Sequence, residues 1–250
     1  MDDAKFDYLL RLGDNALVLS QQLGAWCGHG PALEEDLALT NVALDLLGQA
    51  RMWLSYAGEV EGRGRDEDAL AFLRDGAAFR NLLLVEQPNG HYGDTIMRQF
   101  LFDVWHQHLL AALAQSSDGR IAEIAHKAAK EVRYHVQRSA HLVVALGDGT
   151  AHSHDRMQGS LERLWPFTQE WFESDPVDAA CAQQGLAPAA ASLAEPWRAS
   201  VEAVLTRATL PMPAAIGHQR GGRLGVHSEY LGHLLAEMQS VPRAYPGARW

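Results

Sequence analysis

Three sets of polar side chains recur at helical spacing inside segments that are otherwise apolar. Asn41, Asp45 and Gln49 repeat every four residues, Gln99, Asp103 and His106 share a second face, and Lys127, Glu131, His135 and Arg138 line a third. Side chains three and four apart in a helix project beside each other, so each set can point into a helical bundle. Burying such groups is costly unless they pair with one another or bind a metal ion. The carboxylate-bridged di-iron centre, which activates dioxygen, uses stripes of this kind. Its bundle takes a Glu from each of two helices and a Glu-x-x-His pair from each of two others. Asp103-Val104-Trp105-His106 has that spacing, with Asp in place of Glu.

The other half of the ligand set does not close. His135 needs a carboxylate at 132, where Val132 stands, and Glu131 has Tyr134 three residues on. Glu123-Ile124-Ala125-His126 carries the full spacing. If two helices fold back near Asp118, however, position 103 lies opposite roughly 133, and Glu123 is roughly 15 Å from that level. A helix-end ion pair is its expected role. Asp45 is followed by Gly48 rather than His, and Gln21 and Gln22 occupy the region where the first helix would supply a carboxylate. Asp45, Asp103, His106, Glu131 and His135 thus read as degenerate di-iron positions, with no catalytic residue and no metal expected. Three readings of the stripes stay open: a working di-iron centre, a buried polar network, or a bundle of di-iron descent. In the third, Lys127, Arg138, His106 and His135 supply the compensating positive charge.

Other motifs carry less. Arg220-Gly221-Gly222-Arg223-Leu224-Gly225 lacks the preceding strand and the Lys-Ser/Thr ending of a phosphate loop. A turn with positive-φ glycines leading into the final helix is the expectation. His227 and His233 are six apart and share no helix face, while Glu229 and His233 are spaced for a surface ion pair. Two cysteines, Cys27 and Cys181, are too few for a disulfide scaffold or a thiolate zinc site.

The elements that must hold these residues are helices. Only Pro31 and Pro88 of the ten prolines precede residue 160, and Ile96 to Leu146 is almost free of glycine. Two long helices separated by Ser117-Asp118-Gly119 are expected there, and a second pair, Phe6 to Trp26 and Glu34 to Val60, around Gly28-His29-Gly30-Pro31. Leu37, Leu39, Val42, Leu44, Leu46 and Leu47 cover most of the second helix, which predicts a central, enclosed position for it. Beyond about residue 154 shorter helices are expected, wrapped on the four-helix core, with Gly185 to Ala194 as a solvated connection. The fold class is all-α, a four-helix bundle with additional C-terminal helices, in one domain spanning 1–250.

Composition narrows the function classes. A 250-residue chain with 47% hydrophobic residues is large enough for a sizeable core, and its net charge of -10 disfavours nucleic acid and anionic membranes. No apolar run reaches membrane-spanning length, and the acidic start, Met1 to Lys5, is unlike a signal peptide, so a cytoplasmic protein is expected. Of 21 basic residues only Lys5, Lys127 and Lys130 are lysine, a bias read mainly as coding composition.

Longer blocks add a resemblance. They are Arg11 to Asn15, Leu44 to Arg51, Asn81 to Gly90, Lys130 to His135, Leu164 to Thr168, Gly221 to Gly232 and Leu235 to Gln239. Together they make the chain similar, along essentially its whole length, to the ferritin-like structural (PaaC-type) subunits of bacterial ring 1,2-phenylacetyl-CoA epoxidases. These are multicomponent oxygenases. The resemblance implies a ferritin-like fold and a non-catalytic role in aerobic phenylacetate degradation. It also implies partners: a di-iron catalytic subunit, a small bridging subunit, and a reductase using NADPH, flavin and an iron–sulfur cluster. No cofactor is implied in this chain. Phenylacetyl-CoA at the subunit interface then has candidate contacts at Glu34, at Ala78-Phe79-Arg80-Asn81 and at Ala179-Ala180-Cys181. Arginine suits a phosphate, phenylalanine a stacked base, and small residues a close approach. The alternative is an independent di-iron oxidase or oxygenase of the ferritin-like class.

Overall fold

The computed structural model describes residues 2–214 and 218–248. The remaining positions, which include both ends of the expected 1–250 domain, lie outside the described residues. All regular structure among the described residues is helical. It consists of α1 (Asp2–Gly24), α2 (Leu33–Glu61), α3 (Glu67–Phe72), α4 (Tyr92–Leu113), α5 (Gly119–Gly147), α6 (Ala151–Leu164), α7 (Pro176–Gln183), α8 (Ala194–Arg207), α9 (Glu229–Met238) and α10 (Ser240–Ala244), with short 3-10 turns between them. The chain divides into two compact units, 1–88 with 221–250, and 89–220.

The first unit is built on the antiparallel pair α1–α2. Their connection turns at Gly28, whose φ of 82° favours glycine. Asp36 in the first turn of α2 accepts from the backbone N–H of Gly28 (2.8 Å) and Gly30 (3.0 Å), tying the turn to the helix it feeds. Gly13 lets the helices approach, since a Cβ there would lie 2.6 Å from Leu54 Cδ2. Leu9, Val18, Leu19, Leu23, Leu39 and Leu46 are essentially inaccessible, each stabilising the unit by about 2 kcal/mol.

The expected central position of α2 is not found. Leu33, Leu37, Leu44 and Leu47 are 71, 56, 60 and 43% exposed, and Asn41 is exposed as well. The helix is apolar on several sides, but α1 and α3 cover only part of it.

The enclosed helix is α4, in the second unit, where α5, α6 and α8 pack around it. All residues from Thr95 to His106 are buried. Its start is fixed by a capping box between His91 and Asp94, and α5 begins on Asp118, which accepts from the N–H groups of Arg120 and Ile121. Trp105, Trp171, Trp197 and Trp165 follow one another at ring-centroid distances of 5.6, 5.5 and 5.4 Å. Each such aromatic pair adds about 0.5–1.5 kcal/mol beyond its buried area. The segment from Gly185 to Ala194 is less solvated than expected, because Leu186, Ala190 and Leu193 turn into the core.

Candidate functional site

The polar stripe of α4 is buried as a unit: Gln99, Asp103 and His106 are 1, 0 and 5% exposed. Facing it from α5 are His135 and Ser139, both buried. Gln99 Nε2 donates to Asp103 Oδ1 at 2.5 Å, and the Ser139 hydroxyl lies 2.8 Å from Asp103 Oδ2. The register differs from the expected one, in which position 133 lay opposite 103. Cα–Cβ bonds tilt toward each helix's N-terminus, so a side chain of α4 leans away from the turn and one of α5 toward it, and a residue of α4 meets one of α5 whose Cα lies farther from the turn.

Electrostatics follow from the burial. Loss of solvent pushes the Asp103 carboxyl up to about 6, opposed by His135, by the hydrogen bonds from Ser139 and Gln99, and by Arg138. Burial, aided by the neighbouring His135, lowers His106 to about 3 and keeps that ring neutral at physiological pH. His106 lies against Phe102 at 5.1 Å and Trp105 at 6.4 Å between ring centroids.

These residues do not fit a di-iron centre. Both oxygens of Asp103 are engaged by an amide and a hydroxyl, neither of which can replace the bridging carboxylates that such a centre needs. Across α5, Glu131 is only half-buried and Lys127 is exposed. Asp45 belongs to the other unit, half-buried on α2, while Gln49 on the same helix is fully buried. Glu123 and His126 are both exposed. Among the described residues no three His, Cys, Asp or Glu side chains converge as metal donors. Chemically the cluster can share hydrogen bonds and hold a proton near neutrality.

A second buried polar cluster lies in the first unit, and the spacing of charged residues gives no sign of it. Asp14 on α1 makes a two-pronged ion pair with Arg74, the side chains 0 and 4% exposed. Asp14 Oδ2 also accepts the Arg80 N–H at 2.8 Å, and Asn15 Oδ1 accepts the Leu82 N–H at 2.8 Å. Glu86, wholly buried, accepts from Asn81 Nδ2 (3.0 Å) and the Ser228 N–H (2.6 Å), and its Oε2 lies 2.9 Å from His227 Nδ1. Gly222 completes the join, since a Cβ there would meet Asn81 O at 2.2 Å. Gly221 and Gly225 adopt φ of 135° and 79°, as expected for this turn. Three sequence blocks that carry the resemblance, around Asp14, Asn81 to Gln87 and Gly221 to Gly232, therefore meet in one place.

The candidate coenzyme A contacts distribute unevenly. Glu34 is exposed in the first turn of α2, and Ala78 and Arg80 are half-buried in the loop after α3. Arg80 Nη1 donates to the carbonyls of Ala77 (2.8 Å) and Phe79 (2.9 Å), which fixes its guanidinium plane. Phe79 is not available for stacking, being fully buried with Arg74 4.3 Å above its ring. Asn81 is buried and committed to Glu86. On α7, in the second unit, Ala179 is exposed, Ala180 half-buried and Cys181 buried, and Asp175 and Asp178 form the capping box that starts the helix.

The sequence is similar to that of a known protein. The chain is 51% identical over 243 residues to the C component of the 1,2-phenylacetyl-CoA epoxidase of Escherichia coli strain K12, covering 97% of this chain and 98% of that one. A family model described as phenylacetic acid catabolic protein matches residues 1–250, and the chain belongs to that family.

Proposed function

We propose that this chain is the non-catalytic structural subunit of a phenylacetyl-CoA 1,2-epoxidase acting in cytoplasmic phenylacetate degradation. The observation that carries the reading is the 51% identity to the C component of such an enzyme across nearly the full length of both chains. The surroundings of Asp103 support the non-catalytic role, because its oxygens are met by the Gln99 amide and the Ser139 hydroxyl rather than by further carboxylates. In this reading a di-iron catalytic subunit performs the ring epoxidation, with a small bridging subunit and a reductase carrying NADPH, flavin and iron–sulfur chemistry. This chain pairs with the catalytic subunit, holds no cofactor of its own, and helps hold the thioester in one ferritin-like domain.

For the thioester, Arg80 is the leading contact, a half-buried guanidinium held in a fixed plane that suits a phosphate of coenzyme A. Ala78 allows close approach beside it, and Glu34, Ala179 and Ala180 offer further accessible positions. Phe79, Asn81 and Cys181 act by shaping the segments that present these groups.

Co-expression with the catalytic subunit tests the reading. The two chains are expected to co-purify, and the complex with its reductase to epoxidise phenylacetyl-CoA. Turnover by this chain alone, or iron bound to it at two atoms per chain, would overturn the non-catalytic assignment.

A further inference from the structure

Along α2 the residues Glu34, Leu37, Asn41, Leu44, Gly48 and Arg51 are all exposed and follow one another at alternating steps of three and four. That is the heptad spacing of a coiled-coil seam, which packs against another helix rather than against solvent. Leu33 and Leu47 flank it, 71 and 43% exposed, so the stripe is apolar through its middle. Beside it lies a groove of about 500 Å³ lined by Leu44, Leu47, Gly48 and Arg51 of α2 together with Glu67 and Phe72.

The stripe is complementary to itself when run in the opposite direction. About a point midway between Val42 and Ala43, Glu34 is mirrored by Arg51, Leu37 by Gly48 and Asn41 by Leu44. An antiparallel copy therefore sets a carboxylate against a guanidinium at each end. It also sets each Leu37 over a Gly48, where a Cβ would have nothing within 4 Å. Arg51 is 76% exposed and 3.1 Å from Glu67, so it can bridge its own Glu67 and the Glu34 of a second chain. Asp68 beside it is also exposed and adds to the acidic side of that bridge. A parallel copy would instead oppose Glu34 to Glu34 and Arg51 to Arg51, which electrostatics disfavours.

We propose that α2 is a self-association face on which a second copy of this chain docks its own α2 antiparallel, as an isologous pair. The proposal does not rest on the epoxidase reading. The test is the mass of the purified chain by light scattering, with the wild type expected at twice the 27.5 kDa chain. Leu44→Asp and Gly48→Leu are each expected to return it to one chain. Gly48→Leu adds no charge, and its position is open in the isolated subunit. Glu34→Arg and Arg51→Glu are each expected to weaken self-association about tenfold or more, and the double variant to recover most of it. Helical circular dichroism reports that the variants remain folded; if Leu44→Asp unfolds, Gly48→Leu and the charge exchange decide. A wild-type chain of single mass, or a double charge exchange no better than the singles, overturns the proposal. So does a result in which Gly48→Leu leaves the isolated chain's mass unchanged but blocks co-purification of the catalytic subunit. In that case the face belongs to that subunit, and the proposed function stands.

Discussion

Glu86 and His227 meet at 2.9 Å across 141 residues of sequence, with side chains 0 and 7% exposed. The other ring nitrogen of His227 lies 3.1 Å from the Phe79 carbonyl, so one imidazole fastens both ends of the 79–86 loop to the C-terminal segment. Three groups converge on one carboxylate, which is what keeps a buried Glu86 tolerable.

Replacing Glu86 by Ala should therefore cost about 3–5 kcal/mol, since it strands His227, the Ser228 N–H and Asn81 together. Chemical denaturation measures the loss. Amide exchange should quicken first in residues 79–87 and 221–238, and an unchanged denaturation midpoint would count against the join.

Asp14→Ala should be at least as damaging. It leaves Arg74 buried without its carboxylate and frees the Arg80 N–H, a loss of about 3–5 kcal/mol. Asp14→Asn, keeping shape but not charge, is expected to recover only part of it. Thermal melting of both variants against the wild type gives the comparison.

Two titrations oppose each other in the second unit. Asp103 titrates at about 6 when folded against 3.8 for an ordinary aspartate, so between those values the folded chain holds the extra proton and stability falls as pH rises. His106 titrates at about 3 against 6.5, so there the unfolded chain holds the extra proton and stability rises with pH. From about pH 4 to pH 6 the two nearly offset. Asp103→Asn should then leave the His106 titration unopposed, so that stability rises across this window by about 2–3 kcal/mol relative to wild type. His106→Gln should turn the contribution into a fall with increasing pH. Urea denaturation at three pH values across the window separates the three slopes.

Gly222→Ala is expected to destabilise by several kcal/mol, because its Cβ collides with backbone Asn81 O at 2.2 Å. Gly232→Ala is its control. That position lies in α9 with nothing within 4 Å, and there the change should stabilise by up to about 1 kcal/mol. The two melting temperatures should move in opposite directions.

Arg80→Ala in the assembled complex is expected to weaken coenzyme A binding about tenfold while leaving the assembly intact, as measured by calorimetry. Unchanged affinity would remove Arg80 from the thioester contacts.

The helices are legible in the sequence because proline and glycine placement marks their ends: α2 and α5 begin and stop within a few residues of the positions their punctuation implies. The α4 stripe is legible too, since Gln99, Asp103 and His106 share one face at any helical register. Which side of α2 faces solvent is not. Periodicity shows where leucines lie around a helix, but the neighbours that cover them are set by tertiary packing. The Asp14–Arg74 pair and the Glu86 cluster are invisible for the same reason, since their partners are 60 and 141 residues apart. The blocks Arg11 to Asn15, Asn81 to Gly90 and Gly221 to Gly232 carry a likeness in the sequence. Their physical content, a shared buried junction, emerges only when the chain is folded.

The discontinuity of the first unit bears on the order in which the protein is made. Residues 1–88 leave the ribosome first, yet two of the three groups that meet the Glu86 carboxylate, His227 and the Ser228 N–H, are synthesised only later. Residues 89–220 are complete before that and can settle alone. The first unit is thus completed last, when the segment from Gly221 onward closes on the loop that holds Glu86. A chain halted ahead of Gly221 should carry a finished second unit beside an unfinished first one, open to proteolysis in the segment from Leu73 to Pro88.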